Sequence, residues 1–284
     1  MNQLLNTLPI TRLKLLIARI LFYLVKPFYG TGKRIIKRGG LKFEVDITEG
    51  LDLSLFLFGN FQKHVSDNKY IHLHEDAIVF DIGANVGIMS LHFAIKTKKG
   101  KVYAFEPTHY AMQKMKRNLE LNHELASIII PVNTFVSSKE KKSSDIKAFS
   151  SWKIDKKVGS DQHPIHGGSA MSTEGVPTIT LDEFVKEENI ATLNFIKIDT
   201  DGHEFDVLSG AKQTIRSFKP QIIFELGQYV LEEHGITFKD YDRFFSKLDY
   251  KLSDSSNNKS ITIENYKRMI PKQGTIDVLA LPNL

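Results

Sequence analysis

The chain has 284 residues, of which 42% are apolar and 25% charged, so it can bury a sizeable core and wholesale disorder is excluded. It contains no cysteine, which excludes disulfides, thiolate metal sites and cysteine nucleophiles and fits a cytoplasmic location. The net charge of +5 comes without an arginine cluster between aromatic residues, so we expect no nucleic-acid partner and favour an anionic surface such as phospholipid or acidic glycan.

An amphipathic helix is predicted near the start of the chain. Arg19 interrupts its apolar residues, and the charge-free run at 20–25 is far shorter than the about 18 residues of a membrane span, so neither a span nor a signal peptide is expected. Two interpretations stay open: the helix packs on its own domain, or residues 10–28 make peripheral contact with the inner face of the membrane, helped by the basic turn that follows. The helical spacing is carried by Leu13, Leu16, Ile17, Ile20, Leu21 and Leu24.

Residues 1–40 are predicted to be an N-terminal helical extension, and residues 41–284 a domain in which strand and helix patterns alternate. This alternation predicts an α/β fold with a doubly wound, mostly parallel sheet. The stretch 137–178 breaks the pattern. We interpret it as a long functional loop that could serve as a lid over the substrate. Strands are predicted at 41–47, 77–82, 101–105, 127–136, 195–198, 221–226, 261–263 and 276–281, and helices at 88–98, 111–122, 204–218 and 238–248, with a capping box at 180–183.

A glycine-rich turn joins the strand at 77–82 to the next helix. Glycine permits close approach of a ligand to the backbone, and the helix that follows presents free N–H groups to it. Asp81 and Asn85 add polar groups beside Gly83 and Gly87. The turn therefore indicates a ligand site, although a tight strand–helix connection alone would use the same glycines.

Glu106 ends the next strand, where nucleoside-binding α/β folds place a carboxylate against the ribose hydroxyls. A dinucleotide fingerprint would have glycine at positions 85 and 88, but this chain has Asn85 and Ile88, which hinders approach of a pyrophosphate. A Walker-type loop is also missing from the sequence. The pattern favours a ligand with a ribose and no pyrophosphate.

A second polar rim follows the strand at 195–198. A hydroxyl that attacks a methyl group must lose a proton, and we consider Asp199, His203 and Glu204 as candidate general bases. The alternative is that acids here merely cap the following helix. Contacts to the acceptor are assigned to Asp201, to Glu225 at the end of the next strand, and to His166 in the long loop.

Metal binding is not expected. His163 with His166, or Asp199 with Asp201, could hold a cation, but neither pair fixes a coordination geometry.

Six blocks of sequence resemble the FkbM family of S-adenosylmethionine-dependent methyltransferases, over about residues 40–228. Their order and spacing make the match specific, although each block alone is weak. The blocks are Phe80-Asp-Ile-Gly-Ala-Asn-Val-Gly87, Ala104-Phe-Glu-Pro107, Thr180-Leu-Asp-Glu183, Phe195-Ile-Lys-Ile-Asp-Thr-Asp-Gly-His-Glu204, Val207-Leu-Ser-Gly-Ala211 and Pro220-Gln-Ile-Ile-Phe-Glu225.

The resemblance implies a Rossmann-like, class I methyltransferase sheet of seven strands, one of them antiparallel, with S-adenosylmethionine as cofactor. It also implies O-methylation of a sugar, glycolipid or related metabolite such as a polyketide. Asp201 stands where many relatives have Glu, a mild departure. If the cofactor contacts of the family are carried over by position, the methionine end of the cofactor would contact Asp81, Gly83, Asn85 and Gly87. The ribose would then contact Glu106, and the adenine would contact Phe135 and Val136.

Two other functions are kept open. One is an NAD-type oxidoreductase on the same sheet, against which Asn85 and Ile88 speak. The other is a non-catalytic, membrane-associated partner in glycan or lipid assembly.

Overall fold

The computed structural model describes residues 11–59, 62–138, 149–150, 153–154, 169–171, 173–272 and 274–283. The helices are α1 (Thr11–Tyr29), α2 (Gly50–Phe58), α3 (Lys63–Ser66), α4 (Ile88–Lys96), α5 (His109–Leu121), α6 (His123–Ala126), α7 (Leu181–Glu187), α8 (Glu204–Ser209), α9 (Lys212–Phe218), α10 (Gln228–His234), α11 (Phe238–Lys247) and α12 (Tyr266–Met269). The strands are β1 (Arg34–Arg38), β2 (Leu41–Val45), β3 (Ile78–Ile82), β4 (Lys101–Phe105), β5 (Ile129–Val132), β6 (Phe135–Val136), β7 (Phe149–Ser150), β8 (Ser169–Ala170), β9 (Thr178–Ile179), β10 (Phe195–Ile198), β11 (Gln221–Gly227), β12 (Tyr250–Asp254) and β13 (Thr275–Pro282).

The central sheet has seven strands in the order β12-β13-β11-β10-β3-β4-β5. Neighbours from β11 to β5 pair in parallel, and β13 runs antiparallel to both β11 and β12. This confirms the predicted doubly wound sheet with one reversed strand. Because β3, β4 and β10 are parallel and in register, the segments that follow them emerge at one edge of the sheet.

Both faces of the sheet are covered, as expected for parallel strands that are buried on each side. Alternate residues of β3 point in opposite directions: Phe80 packs with helices α7 to α11, and Val79 packs with α4 and α5. The capping box before α7 forms as predicted, since Thr180 Oγ1 accepts from the Glu183 amide at 3.1 Å and Glu183 Oε2 accepts from the Thr180 amide at 3.2 Å.

Helix α1 packs on the domain, but not through the apolar face predicted from the sequence. Phe22 is fully buried against Ile47, Leu53 and Ile154. Three residues of the predicted apolar face are exposed instead: Leu16, Ile20 and Leu24. No helix of the described residues is long and apolar enough to cross a membrane.

The turn at Gly39 and Gly40 lies inside one hairpin. Strands β1 and β2 pair across it in antiparallel register, and Ile36 is buried with Leu41 in the same core cluster as the sheet. The boundary drawn at residue 40 in the sequence therefore falls in the middle of this hairpin.

The predicted strand at 127–136 is interrupted: β5 forms within it, and the chain leaves the sheet after Val132 before β6 begins. Asn133 Nδ2 donates to the carbonyl oxygens of Glu106 and Pro107, and Phe135 then donates its amide to Pro177. The result is a separate two-stranded parallel sheet of β6 and β9.

The predicted helix at 204–218 forms as two helices, α8 and α9, which are divided at Gly210. A Cβ atom at Gly210 would lie 2.2 Å from the carbonyl oxygen of Ser137, so the close approach of two backbones requires glycine here. Near the end of the chain, residues 261–263 do not form the predicted strand. The sheet strand in this region is β12, and the neighbouring Ser260 makes an isolated bridge to Ser253 of that strand.

Only parts of the long stretch 137–178 belong to the described residues. Strand β7 pairs with β8, and Lys153 forms ion pairs with Asp46 and Glu49 at 3.1 and 3.0 Å. Ile154 is buried beside Phe22. His163 and His166 lie outside the described residues, so the role assigned to His166 stays a prediction.

Candidate active site

The segments after β3, β4, β5 and β10 surround a crevice of about 580 Å³, a volume that includes its opening to solvent. It lies at the carboxyl ends of parallel strands, the usual position of ligand sites in open α/β sheets. Its walls combine apolar and acidic side chains. The lining residues are Ile82, Gly83, Asn85, Phe105, Glu106, Pro107, Thr134, Phe135, Val136, Asp199, Thr200, Asp201 and His203.

The glycine turn forms the floor of the crevice. Gly83 has φ +73°, and a Cβ atom there would lie 1.8 Å from the carbonyl oxygen of Asp199, so no other residue fits. Asn85 also adopts a left-handed conformation, with φ 50°. Its Oδ1 is buried, and no partner for it exists among the described residues. An unpaired buried acceptor in a crevice wall suits a ligand that donates a hydrogen bond.

Gly87 begins α4 and does not line the crevice. Its φ is +80°, and a Cβ atom would lie 2.7 Å from Met115 Cγ. Its role is to let α5 pack closely against the start of α4.

Glu106 lies across the crevice from Gly83 and is tied to the same turn. Its Oε2 accepts from the Asn85 amide at 3.0 Å, and its Oε1 accepts from the amide and hydroxyl of Thr108 at 2.8 and 2.6 Å. A carboxylate has about four acceptor positions. One position therefore remains, on Oε2, and a second ribose hydroxyl would have to replace the Thr108 hydroxyl.

Burial raises the pKa of Glu106, although the hydrogen bonds from Thr108 and Asn85 oppose this effect. The group is thus a desolvated acceptor held in a fixed orientation.

Asp81 lies beneath the crevice and does not line it. Its Oδ2 accepts from Ser90 Oγ at 2.6 Å, and its Oδ1 lies 3.1 Å from Lys197 Nζ. Lys197 also donates to the carbonyl oxygen of Gly83 at 3.1 Å. Burial alone would lower the pKa of Lys197, yet the carboxylates of Asp81 and Asp199 raise it above the ordinary lysine value. This buried cation connects β10 to the glycine turn.

Asp199 is held between two donors. Its Oδ2 lies 3.5 Å from Lys197 Nζ and accepts from Gln62 Nε2 at 2.9 Å. Gln62 reaches the crevice edge from the segment before α3, where its backbone is left-handed with φ 46°. Its Oε1 is buried and has no partner among the described residues.

Asp201 and His203 form the opposite wall. Asp201 is exposed at the mouth of the crevice. Partial loss of hydration and the negative charges of Asp199 and Glu204 raise the pKa of Asp201 to about 8. His203 Nδ1 lies 3.4 Å from Asp206 Oδ2, which leaves Nε2 as the nitrogen available to a ligand.

Glu204 and Glu225 stand behind this wall rather than in it. Glu204 Oε1 accepts from the Thr200 amide and hydroxyl and from the Gly202 amide, at 2.9, 3.1 and 3.2 Å, so it closes the turn 200–204. Glu225 Oε1 accepts from Thr275 Oγ1 at 2.6 Å. Burial, followed by the charges of Asp199 and Asp277, raises the pKa of Glu225 well above its usual value. The contacts of Glu204 are those of a structural residue.

Eight of the residues proposed from the sequence meet in the crevice: Gly83, Asn85, Glu106, Phe135, Val136, Asp199, Asp201 and His203. Lys197 and Gln62 were missed. A lysine within the apolar run of β10 is a signal that could have been used, because a buried cation requires a carboxylate partner. Gln62 carries no such signal, since its contact with Asp199 joins residues far apart in sequence.

The charged side chains of the crevice distinguish between nucleoside ligands with and without a pyrophosphate. Among the described lining residues there are three carboxylates and neither lysine nor arginine. With Asp199 beside Lys197 and the pKa of Asp201 near 8, the wall offers carboxyl acceptors to a ribose or an amino group and no lining cation that would hold a pyrophosphate. In the described part of the chain, no cluster of three or more histidines and carboxylates has the arrangement of a metal site.

A family model described as the methyltransferase FkbM domain matches residues 81–252, more than half of the chain. The hexuronic acid methyltransferase AglP of Haloferax volcanii is 28% identical over 179 residues, which are 61% of this chain and 63% of AglP. Methyltransferase 1 of Beauveria bassiana is 24% identical over 172 residues, covering 54% of this chain and 65% of that protein.

The chain thus spans just under two thirds of the length of these two relatives. Among solved structures, methyltransferase FkbM from Methylobacillus flagellatus KT aligns with a TM-score of 0.47 and 16% identity, over 76% of this chain and 47% of that one. The family match over residues 81–252 includes the glycine turn, Glu106 and the rim at 199–204. The chain therefore belongs to the FkbM family of S-adenosylmethionine-dependent methyltransferases.

Proposed function

We propose that this protein transfers a methyl group from S-adenosylmethionine to a hydroxyl group of a sugar, glycolipid or related metabolite. The observation that carries the proposal is the acidic crevice, in which Glu106 and the glycine turn are joined through the Asn85 amide. The relative named hexuronic acid methyltransferase supports a sugar as acceptor.

Cofactor contacts are assigned to the crevice wall. Glu106 accepts from the ribose, Asn85 Oδ1 accepts from a donor at the methionine end, and Phe135 and Val136 flank the base. Lys197 and Asp81 fix the turn from below without touching the ligand. S-adenosylmethionine supplies a methyl group that its sulfonium makes electrophilic.

The acceptor hydroxyl is activated by His203. Asp206 orients the imidazole through Nδ1, and Nε2 would take the proton of the acceptor hydroxyl as that oxygen receives the methyl group, with the demethylated cofactor as the leaving group. Asp199 and Asp201 accept hydrogen bonds from the acceptor. Most of the rate enhancement comes from holding the two reactants in line.

The family match favours methyl transfer over the NAD-type oxidoreductase, and the carboxylates of the crevice add a second reason. A non-catalytic partner in glycan or lipid assembly is the remaining alternative. It predicts a chain that carries this crevice and transfers no methyl group.

The reaction is proposed to take place in the cytoplasm, at the inner face of the membrane, where residues 10–28 make peripheral contact. Two observations support this place of action: cysteine is absent from the sequence, and part of helix α1 exposes apolar residues.

Two measurements test the proposal. In isothermal titration, S-adenosylmethionine should bind and NAD should not; absence of heat at millimolar cofactor would reject methyl transfer. With labelled cofactor, fractionated envelope glycans and glycolipids should acquire label, identified by mass. The variant His203→Asn should bind the cofactor as the parent does and lose transfer, with Lys212→Gln, an exposed residue of α9, as the control. Cofactor binding without label in any fraction would favour the non-catalytic alternative.

A further inference from the structure

Helix α1 exposes a continuous apolar stripe, which we define as Leu16, Ile20, Tyr23, Leu24 and Phe28. With 3.6 residues per turn, residues spaced by three and four positions lie on one face of a helix. Their exposed fractions are 54%, 52%, 59%, 62% and 84%. A run of large apolar side chains this exposed on one face marks a surface that binds something.

The stripe cannot turn into the domain. Phe22 projects from the opposite side of α1 and is fully buried with Ile47, Leu53 and Ile154. Rotation of the helix to bury the stripe would bring Phe22 into water. The packing of α1 therefore fixes the stripe in an outward orientation.

The charges of the chain are divided unevenly around this helix. Residues 1–43 contain nine lysines and arginines and no acidic residue, while the remainder has 29 basic and 33 acidic residues. The net charge of +5 is thus the sum of +9 on the N-terminal segment and −4 on the rest of the chain. Only the segment that carries the stripe is attracted to anions.

Three exposed lysines accompany the stripe in this segment of the chain. Lys26 lies in the last turn of α1, where its Nζ is 5.7 Å from the centre of the Phe22 ring, and Lys37 and Lys42 lie on the two strands of the hairpin that follows. Exposed apolar residues and lysines in one segment are typical of helices that lie in a membrane interface, where the apolar residues enter the lipid and the cations meet anionic headgroups.

A second copy of the chain is a less suitable occupant. Pairing two stripes would bring two segments of +9 together, and like charges at an interface oppose association. We propose that the stripe and the hairpin β1–β2 form a docking surface for an anionic lipid membrane. This inference deepens the proposed place of action and is independent of methyl transfer.

Cosedimentation with vesicles tests the docking surface. The intact protein should pellet with vesicles of phosphatidylcholine and phosphatidylglycerol and stay in solution with phosphatidylcholine alone. The double variant Ile20→Asp/Leu24→Asp should lower the partition coefficient at least about tenfold, since it places charges on the inserted face. Replacing Lys26, Lys37 and Lys42 by Gln should lower it about a hundredfold, at roughly fivefold for each lysine.

Controls separate docking from folding and from the enzymatic proposal. Ile263→Asp changes a comparably exposed apolar residue, at 44%, outside the N-terminal segment and should leave vesicle binding unchanged. Phe28→Asp is a single change at the most exposed position of the stripe, should the double variant fail to fold. Titration with S-adenosylmethionine should give the parental affinity for every variant, because no described side chain of α1 lines the crevice.

Three results would overturn the inference. One is failure of the intact protein to pellet with the anionic vesicles. Another is equal binding to neutral vesicles. The third is a lipid-free dimer, measured by sedimentation velocity, that Ile20→Asp/Leu24→Asp dissociates. Loss of cofactor binding or transfer in the intact protein would count against the enzymatic proposal alone.

Discussion

Lys197 Nζ lies 3.1 Å from Asp81 Oδ1, and both side chains are at least 95% buried. The two residues occupy paired positions on the neighbouring strands β10 and β3. This ion pair joins the strand that leads into the glycine turn to the strand that leads into the second polar rim. It therefore sets the relative position of the two halves of the crevice.

Removal of the lysine should destabilise the protein strongly. Lys197→Met leaves two carboxylates without their buried cation, and breaking a buried pair costs about 3–5 kcal/mol of unfolding free energy. Urea unfolding measures this loss, with Lys212→Met as an exposed control. Adding Asp81→Asn should recover part of the loss; a loss below about 1 kcal/mol in the single variant would show that the pair does not hold the sheet edge.

Cofactor affinity should depend on Glu106. Glu106→Gln retains the shape of the side chain but replaces one carboxylate oxygen by an amide donor, which cannot accept from both Asn85 and Thr108 and still meet the ribose. We expect S-adenosylmethionine affinity to fall about 10- to 100-fold, the effect of one hydrogen bond to a charged group. Isothermal titration checks this, and Glu187→Gln, on the exposed end of α7, should bind as the parent does. Unchanged affinity in Glu106→Gln would place the ribose elsewhere.

Gln62 should act as a positioning residue for Asp199. Gln62→Leu removes the donor to Asp199 Oδ2, so the carboxylate loses one of its two fixed contacts. We expect kcat to fall about tenfold or more while the affinity for S-adenosylmethionine is retained, because the cofactor side of the crevice is not touched.

The variant Gln62→Glu gives a second readout. A carboxylate in place of the amide would stand beside Asp199, and like charges raise each other's pKa. The acidic limb of the pH–rate profile should then move to higher pH than in the parent. An unmoved profile, together with full activity of Gln62→Leu, would show that the contact has no role in turnover.

The pH dependence of stability should carry a contribution from Asp201. Its folded pKa of about 8 lies above the unfolded value of 3.8, so the folded state binds the proton more tightly. The stabilising contribution of the protonated group is complete below the unfolded pKa and is lost as pH rises from about 4 through 8.

Asp201→Asn should therefore be stabilised relative to the parent at pH 9 and differ little from it at pH 4. Melting temperatures measured across this range test the point, with Glu187→Gln as control. A constant difference at all pH values would contradict the assigned shift.

The sequence predicted the parts of this structure that depend on local pattern. The mainly apolar runs at 195–198 and 101–105 became β10 and β4 without change, because most positions of a parallel strand are buried on both faces of the sheet. The glycine turn and Glu106 were placed together correctly, since parallel strands in register bring their carboxyl ends to one edge.

Long-range contacts explain the errors. The strand at 127–136 was cut short because Asn133 bonds to the backbone around Glu106, which no local pattern encodes. In α1 the apolar residues with regular spacing stayed exposed, while Phe22 became the buried contact because Ile47, Leu53 and Ile154 meet it from distant parts of the chain. Gln62 and Lys197 entered the site for the same reason: each is defined by a partner on another element.

The most direct test of the central claim is a crystal structure of the protein with S-adenosylhomocysteine. We predict a ribose hydroxyl within hydrogen-bond distance of Glu106 Oε2, the amino acid end of the ligand beside Gly83 and Asn85 Oδ1, and the sulfur directed toward His203 and Asp201. Binding of the nucleoside at any other place, or a crevice that stays empty at millimolar ligand while the protein is folded, would contradict this prediction.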